Sequence, residues 1–85
     1  MNDRREIAVW VRVADAYERF AGRVRTAEGR RDLYRVLLSC ANGVRETAHA
    51  LPRELADEAA DYLCRPLTAE EGEAMAERFL SGGGP

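Results

Sequence analysis

The sequence predicts an all-α fold, a small four-helix domain led by a long antiparallel helical hairpin with two shorter C-terminal helices. Apolar residues recur every three or four positions through two long segments, as they do along one face of an α-helix. Glycine and proline fall where this spacing breaks, and "LTAEE" carries the pattern of a capped helix start. We predict helices over residues 4–26, 30–50, 53–64 and 69–81.

The prediction of the first helix rests on apolar residues that are spaced alternately three and four positions apart, without a break. Residues 7–13 also alternate between β-branched and other residues, which is typical of a strand. The helical spacing accounts for a much longer segment, so we predict a helix and keep the strand as the alternative. The predicted buried stripe is Ile7, Trp10, Ala14, Tyr17, Ala21 and Val24.

The second helix has an apolar series that is out of phase with the first. Continuing the first stripe beyond Val24 would bury charged side chains, so the chain must break before Leu33. We place the break at Gly29, which can adopt the left-handed conformation that ends a helix. Asn42-Gly43 is a turn signal, but the apolar spacing continues through it, and we expect only a local distortion. The second series is Leu33, Leu37, Cys40, Val44, Ala48 and Leu51.

The last two helices are bounded by local signals. Pro52 suits the first turn of the third helix, whose predicted inner face comprises Leu55, Ala59, Tyr62 and Leu63. Thr68 is predicted to cap the fourth helix together with Glu71. The predicted apolar residues of this helix are Met75, Phe79 and Leu80.

Length and composition indicate one domain, residues 1–81, followed by a flexible Gly-rich tail at 82–85. A domain of 85 residues has a thin stability margin, so docking onto a partner is a common supplement. Arginine without lysine indicates a GC-rich bacterial or phage genome. No segment resembles a signal peptide or a membrane span, and we expect a cytoplasmic protein.

Catalytic and metal-binding motifs are sparse. The single histidine, and the lack of a serine elbow or phosphate loop, predict a protein that is not an enzyme and has no cofactor. Glu46 and His49 show the Glu-x-x-His spacing of di-iron bundles, which a dimer could complete. We predict no metal site and treat the pair as solvated. Cys40 and Cys64 are predicted to be buried free thiols, with a disulfide as the alternative.

Charge is distributed unevenly along the chain. The first fifty residues hold ten arginines against seven acids, whereas the remainder holds three arginines against eight acids. The stretch "RFAGRVRTAEGRRDLYR" concentrates the basic residues, and we predict that it binds a partner with an acidic surface. The predicted binding residues are Arg19, Arg23, Arg25, Arg30, Arg31 and Arg35.

The first helix is apolar nearly all the way round, with Arg12 as the single interruption in "IAVWVRVA". In so small a domain, few other helices are available to cover more than one face of the first helix. We therefore predict that its second apolar face forms the interface of a homodimer. The predicted interface residues are Val9, Trp10, Val13 and Phe20.

These features together predict a non-catalytic helical interaction protein, an adaptor, inhibitor or regulatory subunit that binds another protein stoichiometrically. The first alternative is a nucleic-acid-binding regulator that uses the arginine-rich bend or, if residues 7–13 form a strand, a dimeric ribbon-helix-helix. The second alternative is a dimeric metal-binding bundle built on Glu46 and His49.

Overall fold

A computed structural model describes residues 4–65 and 68–81 and shows an all-helical chain, which confirms the predicted fold class. The described residues contain no strand, so the strand at 7–13 is wrong, and so is the ribbon-helix-helix that depends on it. The predicted tail, 82–85, lies outside the described residues. The helices are α1 (Arg4–Ala21), α2 (Ala27–Ala41), α3 (Arg53–Cys64) and α4 (Ala69–Leu80).

Helix α1 occupies the centre of the arrangement. It contacts α2, α3 and α4; α2 and α3 also contact each other, whereas α4 contacts α1 alone among the described helices. The rings of Tyr17 and Tyr34 pair across the α1–α2 hairpin. Arg23 pairs with Glu58 near the middle of α3, while Arg12 contacts the C-terminal end of α3. Helix α3 therefore runs antiparallel to α1 and in the same direction as α2.

The bend between α1 and α2 lies earlier than predicted. Helix α1 ends at Ala21, and Thr26 caps α2 by accepting a hydrogen bond from the Gly29 backbone N–H at 2.9 Å. Gly29 is inside α2 and has no positive φ, so its predicted role as a left-handed break is wrong. Glycine suits this position because it has no side chain: a Cβ there would overlap Val24 Cγ1 and lie 2.9 Å from Thr26 Oγ1.

Helix α2 ends at Ala41, and the predicted extension to residue 50 is wrong. The backbone turns at Asn42-Gly43, where Gly43 has a φ of +81°, and Asn42 Nδ2 donates to the Leu38 carbonyl at 3.0 Å. Local turn chemistry thus prevails over the apolar spacing. Ala48 and Leu51 are nevertheless buried, because the connection at 42–52 folds back over the core.

Two side chains fix this connection in place. The buried Asp32 carboxylate accepts a hydrogen bond from the Ala50 backbone N–H at 2.7 Å. Arg45 pairs with Asp61 of α3 at 2.9 Å. The connection therefore returns to the first half of α2, and α3 starts at the same end of the molecule as α2.

The core is built from one face each of α1, α2 and α3. Leu33, Val36 and Leu37 are its largest fully buried side chains. The predicted stripe on α1 is rotated from the real one, since Trp10 is 51% exposed and Ala14 is exposed. The face that packs combines two alanines with two larger apolar side chains, at Ala8, Val13, Ala16 and Phe20.

The other two predicted faces have different outcomes. On α3, Leu55, Ala59 and Leu63 are buried as predicted. On α4 the predicted face is wrong, because Phe79 and Leu80 are at least half exposed and Ala76 is the buried residue. A short helix with a single neighbour buries only a narrow strip, and Ala76 permits the close approach to α1.

The predicted cap of α4 is confirmed. Thr68 Oγ1 accepts a hydrogen bond from the Glu71 backbone N–H at 3.1 Å and donates to the Glu71 carboxylate. The Thr68 hydroxyl lowers the pKa of Glu71, and the Arg65 charge adds to this. None of the described helices combines the length and apolarity needed to span a membrane.

Candidate interaction surface

The six predicted binding arginines fall into two groups. Arg19, near the end of α1, and Arg23, in the bend that follows it, extend towards α3. The Arg19 guanidinium lies 4.7 Å from the centroid of the Tyr62 ring, and Arg23 Nη1 donates to Glu58 Oε2 at 2.8 Å. The cation–π contact and the ion pair engage both side chains within the protein.

The second group comprises Arg30, Arg31 and Arg35, which belong to α2 and do not reach α3. They lie on the exposed side of α2, away from the buried face that carries Leu33 and Val36. Arg30 Nη1 donates to a backbone carbonyl at 3.3 Å, and Arg35 lies 4.0 Å from Asp32 Oδ1. Arg31 makes no salt bridge within the described part of the chain. These guanidinium groups remain largely available to an external ligand.

Arg25 stands between the two groups. It is exposed in the bend, and no ion pair or hydrogen bond of its side chain occurs among residues 4–65 and 68–81. The structure therefore brings three of the six arginines onto one helix face. Of the other three, Arg19 and Arg23 turn towards α3, and Arg25 is exposed in the bend.

Two tyrosines complete the exposed face of α2. The rings of Tyr17 and Tyr34 meet edge to face with centroids 6.0 Å apart. Together with Arg30 and Arg31 they line a shallow depression, and Tyr34 is 47% exposed. We call the set of Tyr17, Arg30, Arg31, Tyr34 and Arg35 the Arg–Tyr face.

The Arg–Tyr face has a positive charge that nearby acids only partly offset. Asp32, the closest acid in sequence to these arginines, is buried and holds the Ala50 N–H, so one of its oxygens is already engaged. Planar guanidinium groups bind carboxylates through two parallel hydrogen bonds, and tyrosine adds apolar area with a polar end. The arrangement suits an acidic protein surface that has an apolar patch at its centre.

The predicted dimer interface needs correction. Val13 and Phe20 are each only 3% exposed and belong to the core, so neither is available to a second copy of the chain. Val9 is half-buried, and Trp10 is the only exposed member of the four. The homodimer stays a prediction, and it now depends on Trp10.

The predicted Glu-x-x-His pair does not lie on a helix. Glu46 and His49 are in the connection at 42–52, so their spacing places them on no common helical face. Glu46 accepts a hydrogen bond from the Ser39 hydroxyl at 2.6 Å, and His49 is exposed. Within residues 4–65 and 68–81, no cluster of three or more His, Cys, Asp or Glu side chains is arranged to hold a metal ion.

Arg12 is a polar residue whose role the sequence pattern did not reveal. It is only 4% exposed, and its guanidinium donates to the backbone carbonyls of Tyr62 and Arg65 at the C-terminal end of α3. Carbonyls at a helix C-terminus lack partners within the helix and carry partial negative charge. The apparent interruption of the apolar stretch therefore caps a neighbouring helix.

Tyr62 joins Arg12 to a wider polar network. Its hydroxyl donates to Asp15 Oδ2 at 2.6 Å, and its ring lies under the guanidinium groups of Arg12 and Arg19. The hydrogen bond to Asp15, with burial, raises the pKa of Tyr62. The signal in the sequence was the spacing of Arg12, Asp15 and Arg19, which places them on one side of α1.

The two cysteines are free, and they lie together. Cys40 is buried as predicted, whereas Cys64 is exposed, so its predicted burial is wrong. Burial and a hydrogen bond with the Cys64 thiol raise the pKa of Cys40 to about 12.

Comparison with known proteins gives no relative. No protein-family model matches the chain, and neither the curated proteins nor the solved structures include a significant match.

Proposed function

We propose that this protein is a non-catalytic adaptor, inhibitor or regulatory subunit that binds an acidic protein surface through its Arg–Tyr face. One observation carries the proposal: Arg31 has no acidic partner in the described part of the chain. It also lies beside two other exposed arginines. Like charges on one helix face repel, by a few tenths of a kcal/mol per pair. Carboxylates of a partner would relieve this repulsion, and that relief would contribute to the free energy of binding.

The residue types of the Arg–Tyr face support a protein partner. Arginine and tyrosine are over-represented among the residues that dominate binding energy at protein interfaces. Tyr34 is about half exposed and is braced by Tyr17, so its ring loses little freedom on binding. The rest of the chain is net acidic, so a partner attracted by positive charge would be directed to the Arg–Tyr face.

A non-catalytic role agrees with the geometry of the titratable groups. His49 is exposed on a connection, and the buried Cys40 has a pKa of about 12, which makes it a poor nucleophile at neutral pH. The arginine-only composition supports a bacterial or phage origin, and we propose the cytoplasm as its setting.

Nucleic acid is the alternative ligand for the same face. Base stacking needs exposed aromatic rings, and Phe20 is buried, which leaves Tyr34 as the exposed aromatic residue of this region. The geometry therefore favours an acidic protein over a duplex.

The test compares two double variants with equal changes in charge. Arg31→Gln with Arg35→Gln removes two charges from the Arg–Tyr face, and Arg53→Gln with Arg78→Gln removes two from elsewhere on the surface. Binding to a polyglutamate peptide is measured by titration calorimetry, with unrelated-sequence duplex DNA as the second probe. We expect the first variant to weaken peptide binding by about tenfold or more and the second to leave it nearly unchanged.

Three results would count against the proposal. Equal losses in both double variants would show that net charge, and not this face, determines binding. Tighter binding of the duplex than of the peptide would favour the nucleic-acid alternative. A marked drop in melting temperature of the Arg31→Gln, Arg35→Gln variant would show that these arginines stabilise the fold. A pull-down from the native host then identifies the natural partner.

A further inference from the structure

The fold places the two cysteines next to each other at one end of the molecule. Cys40 lies in the last turn of α2, and Cys64 is the last residue of α3. Because α2 and α3 run in the same direction, their C-terminal ends meet, and both thiols line one cavity of about 290 Å³ beside Arg12. The two thiols are close enough for Cys64 to raise the pKa of Cys40.

We propose that Cys40 and Cys64 are a reversible thiol–disulfide pair, with Cys64 as the thiol that meets the oxidant and Cys40 as the thiol that completes the bond. This goes beyond the proposed binding function and does not depend on it. Disulfides that form in reducing compartments are usually transient and regulatory.

The difference in exposure sets the order of the two steps. Cys64 is exposed to solvent, whereas Cys40 is buried, so a dissolved oxidant reaches Cys64 first. Cys40 also stays protonated at neutral pH because burial and its neighbour raise its pKa to about 12. Thiolates are the reactive form of cysteine, so Cys40 is protected from direct oxidation.

The chemistry balances with a peroxide as the oxidant. The Cys64 thiolate attacks one peroxide oxygen, the O–O bond breaks, and hydroxide leaves to give a sulfenic acid at Cys64. Cys40 then loses its proton to this hydroxide, which gives one water, and the Cys40 sulfur attacks the Cys64 sulfur as the S–O bond breaks. The hydroxide that leaves takes up the proton that Cys64 released when its thiolate formed, which gives the second water. The two thiols are oxidised by two electrons, and hydrogen peroxide is reduced to two molecules of water. A dithiol reductant reverses the reaction by thiol–disulfide exchange.

The bond would tie together two parts of the structure that noncovalent contacts now hold. It would join the end of α2 to the end of α3 and close the loop that contains the connection at 42–52. It would also lie beside the hydrogen bonds from Arg12 to the carbonyls of Tyr62 and Arg65. Oxidation would therefore restrict opening of the connection and of the α3 end.

The test treats the reduced full-length protein with hydrogen peroxide and follows intact mass without reductant. We expect a monomer that has lost two hydrogen masses, with both thiols protected from alkylation, and full recovery on adding dithiothreitol. Because a disulfide across a loop of this length stabilises the folded state, the melting temperature should rise by about 10 °C or more and return on reduction.

Two variants check the order of the steps. Cys40→Ala should stop at the Cys64 sulfenic acid, which a cyclic dione reagent traps, whereas Cys64→Ala should leave Cys40 unoxidised and open to alkylation after unfolding. Added oxygen without loss of two hydrogens in the wild-type protein would overturn the proposal. Disulfides formed only between two molecules would overturn it as well. The wild-type measurement tests the proposal even where a variant fails to fold.

Discussion

Helices α1 and α2 both carry several arginines, but they differ in how many neighbours surround them. Helix α1 contacts α2, α3 and α4, and its Arg12 and Arg19, together with Arg23 in the bend that follows it, all contact α3. Among the described helices, α2 contacts α1 and α3, and Arg30, Arg31 and Arg35 lie on its open side. The same residue type therefore builds the fold on one helix and leaves a charged surface on the other.

This difference shows that the density of arginine in a sequence does not define its role. On a helix with neighbours on several sides, a guanidinium reaches carbonyls, rings and carboxylates of adjacent elements, where its five donors can be satisfied. On a helix with an open side, the same group stays in water and contributes little to stability. Substitutions on the two helices test this division, and the largest effect is expected in the core.

The two sides of α1 should respond very differently to the same substitution. Val13→Glu places a charge in the core, and we expect the free energy of unfolding to fall by about 4 kcal/mol or more, enough to unfold so small a domain. Trp10→Glu, on the exposed side, should change the unfolding free energy of the monomer by less than about 1 kcal/mol, when both proteins are compared at a concentration where they are monomeric. Urea unfolding followed by circular dichroism measures both.

The same pair of variants tests the predicted homodimer. Light scattering on the wild-type protein should show a dimer that Trp10→Glu dissociates without loss of helicity. A wild-type monomer at micromolar concentration would contradict the homodimer, and a large stability loss in Trp10→Glu would contradict the exposed position of Trp10.

Arg12 and Arg31 give the most direct comparison between the two helices. Arg12→Gln removes the donors to the Tyr62 and Arg65 carbonyls and should cost about 2–4 kcal/mol of unfolding free energy, since buried carbonyls lose their partners. Arg31→Gln should stay within about 0.5 kcal/mol of the wild-type value. Equal effects in chemical denaturation would show that the two helices do not differ in this respect.

Much of the fold could be predicted because local signals determine it. The Thr68 cap and the apolar spacing of α3 depend on residues close together in sequence, and both predictions are confirmed. The end of α2 was wrong because Ala48 and Leu51 continue the apolar spacing from a connection that is not helical. Spacing reports which residues are buried, and it does not distinguish a helix from a chain that folds back.

The features of the candidate site were harder to predict because they depend on tertiary neighbours. Nothing in the sequence near Arg12 indicates that the end of α3 lies beside it. Exposure of Tyr34 and Arg31 likewise follows from which side of α2 the other helices leave open. The arginine-rich segment was visible in the sequence, but its division between two helix faces needs the packed structure.

Gly29 tests how tightly the bend packs against the first turn of α2. Gly29→Ala would normally favour a helix, yet the added Cβ overlaps Val24 Cγ1 and crowds Thr26 Oγ1. We expect a net loss of about 1–3 kcal/mol, as for overpacked cores. Gly22→Ala is the control for an added methyl group, because a Cβ there meets no atom within 4 Å. Thermal unfolding of the two variants should separate them, and a stabilised Gly29→Ala would show that the bend relaxes easily.

The smallest effect concerns the hydrogen bond that joins α1 to Tyr62. The Asp15 carboxylate stabilises the protonated phenol and so raises the pKa of Tyr62. A group with a raised pKa in the folded state contributes stability that is fully present below its unfolded pKa, near 10 for tyrosine. That contribution is lost as the pH rises through the folded-state pKa. Asp15→Asn keeps a hydrogen-bond acceptor but removes the charge, so the pKa of Tyr62 should fall towards its ordinary value.

Ultraviolet absorbance of tyrosinate follows this titration. Tyr62→Phe is the control, since the step that it removes from the wild-type curve belongs to Tyr62 and not to Tyr17 or Tyr34. The stability difference between the wild-type protein and Asp15→Asn should be constant between about pH 6 and pH 10 and shrink above it. A titration step that is identical in the wild-type protein and Asp15→Asn would show that the Asp15 charge does not act on Tyr62. In that case the side of α1 that faces α3 would be held by Arg12 and by ring contacts, without this carboxylate.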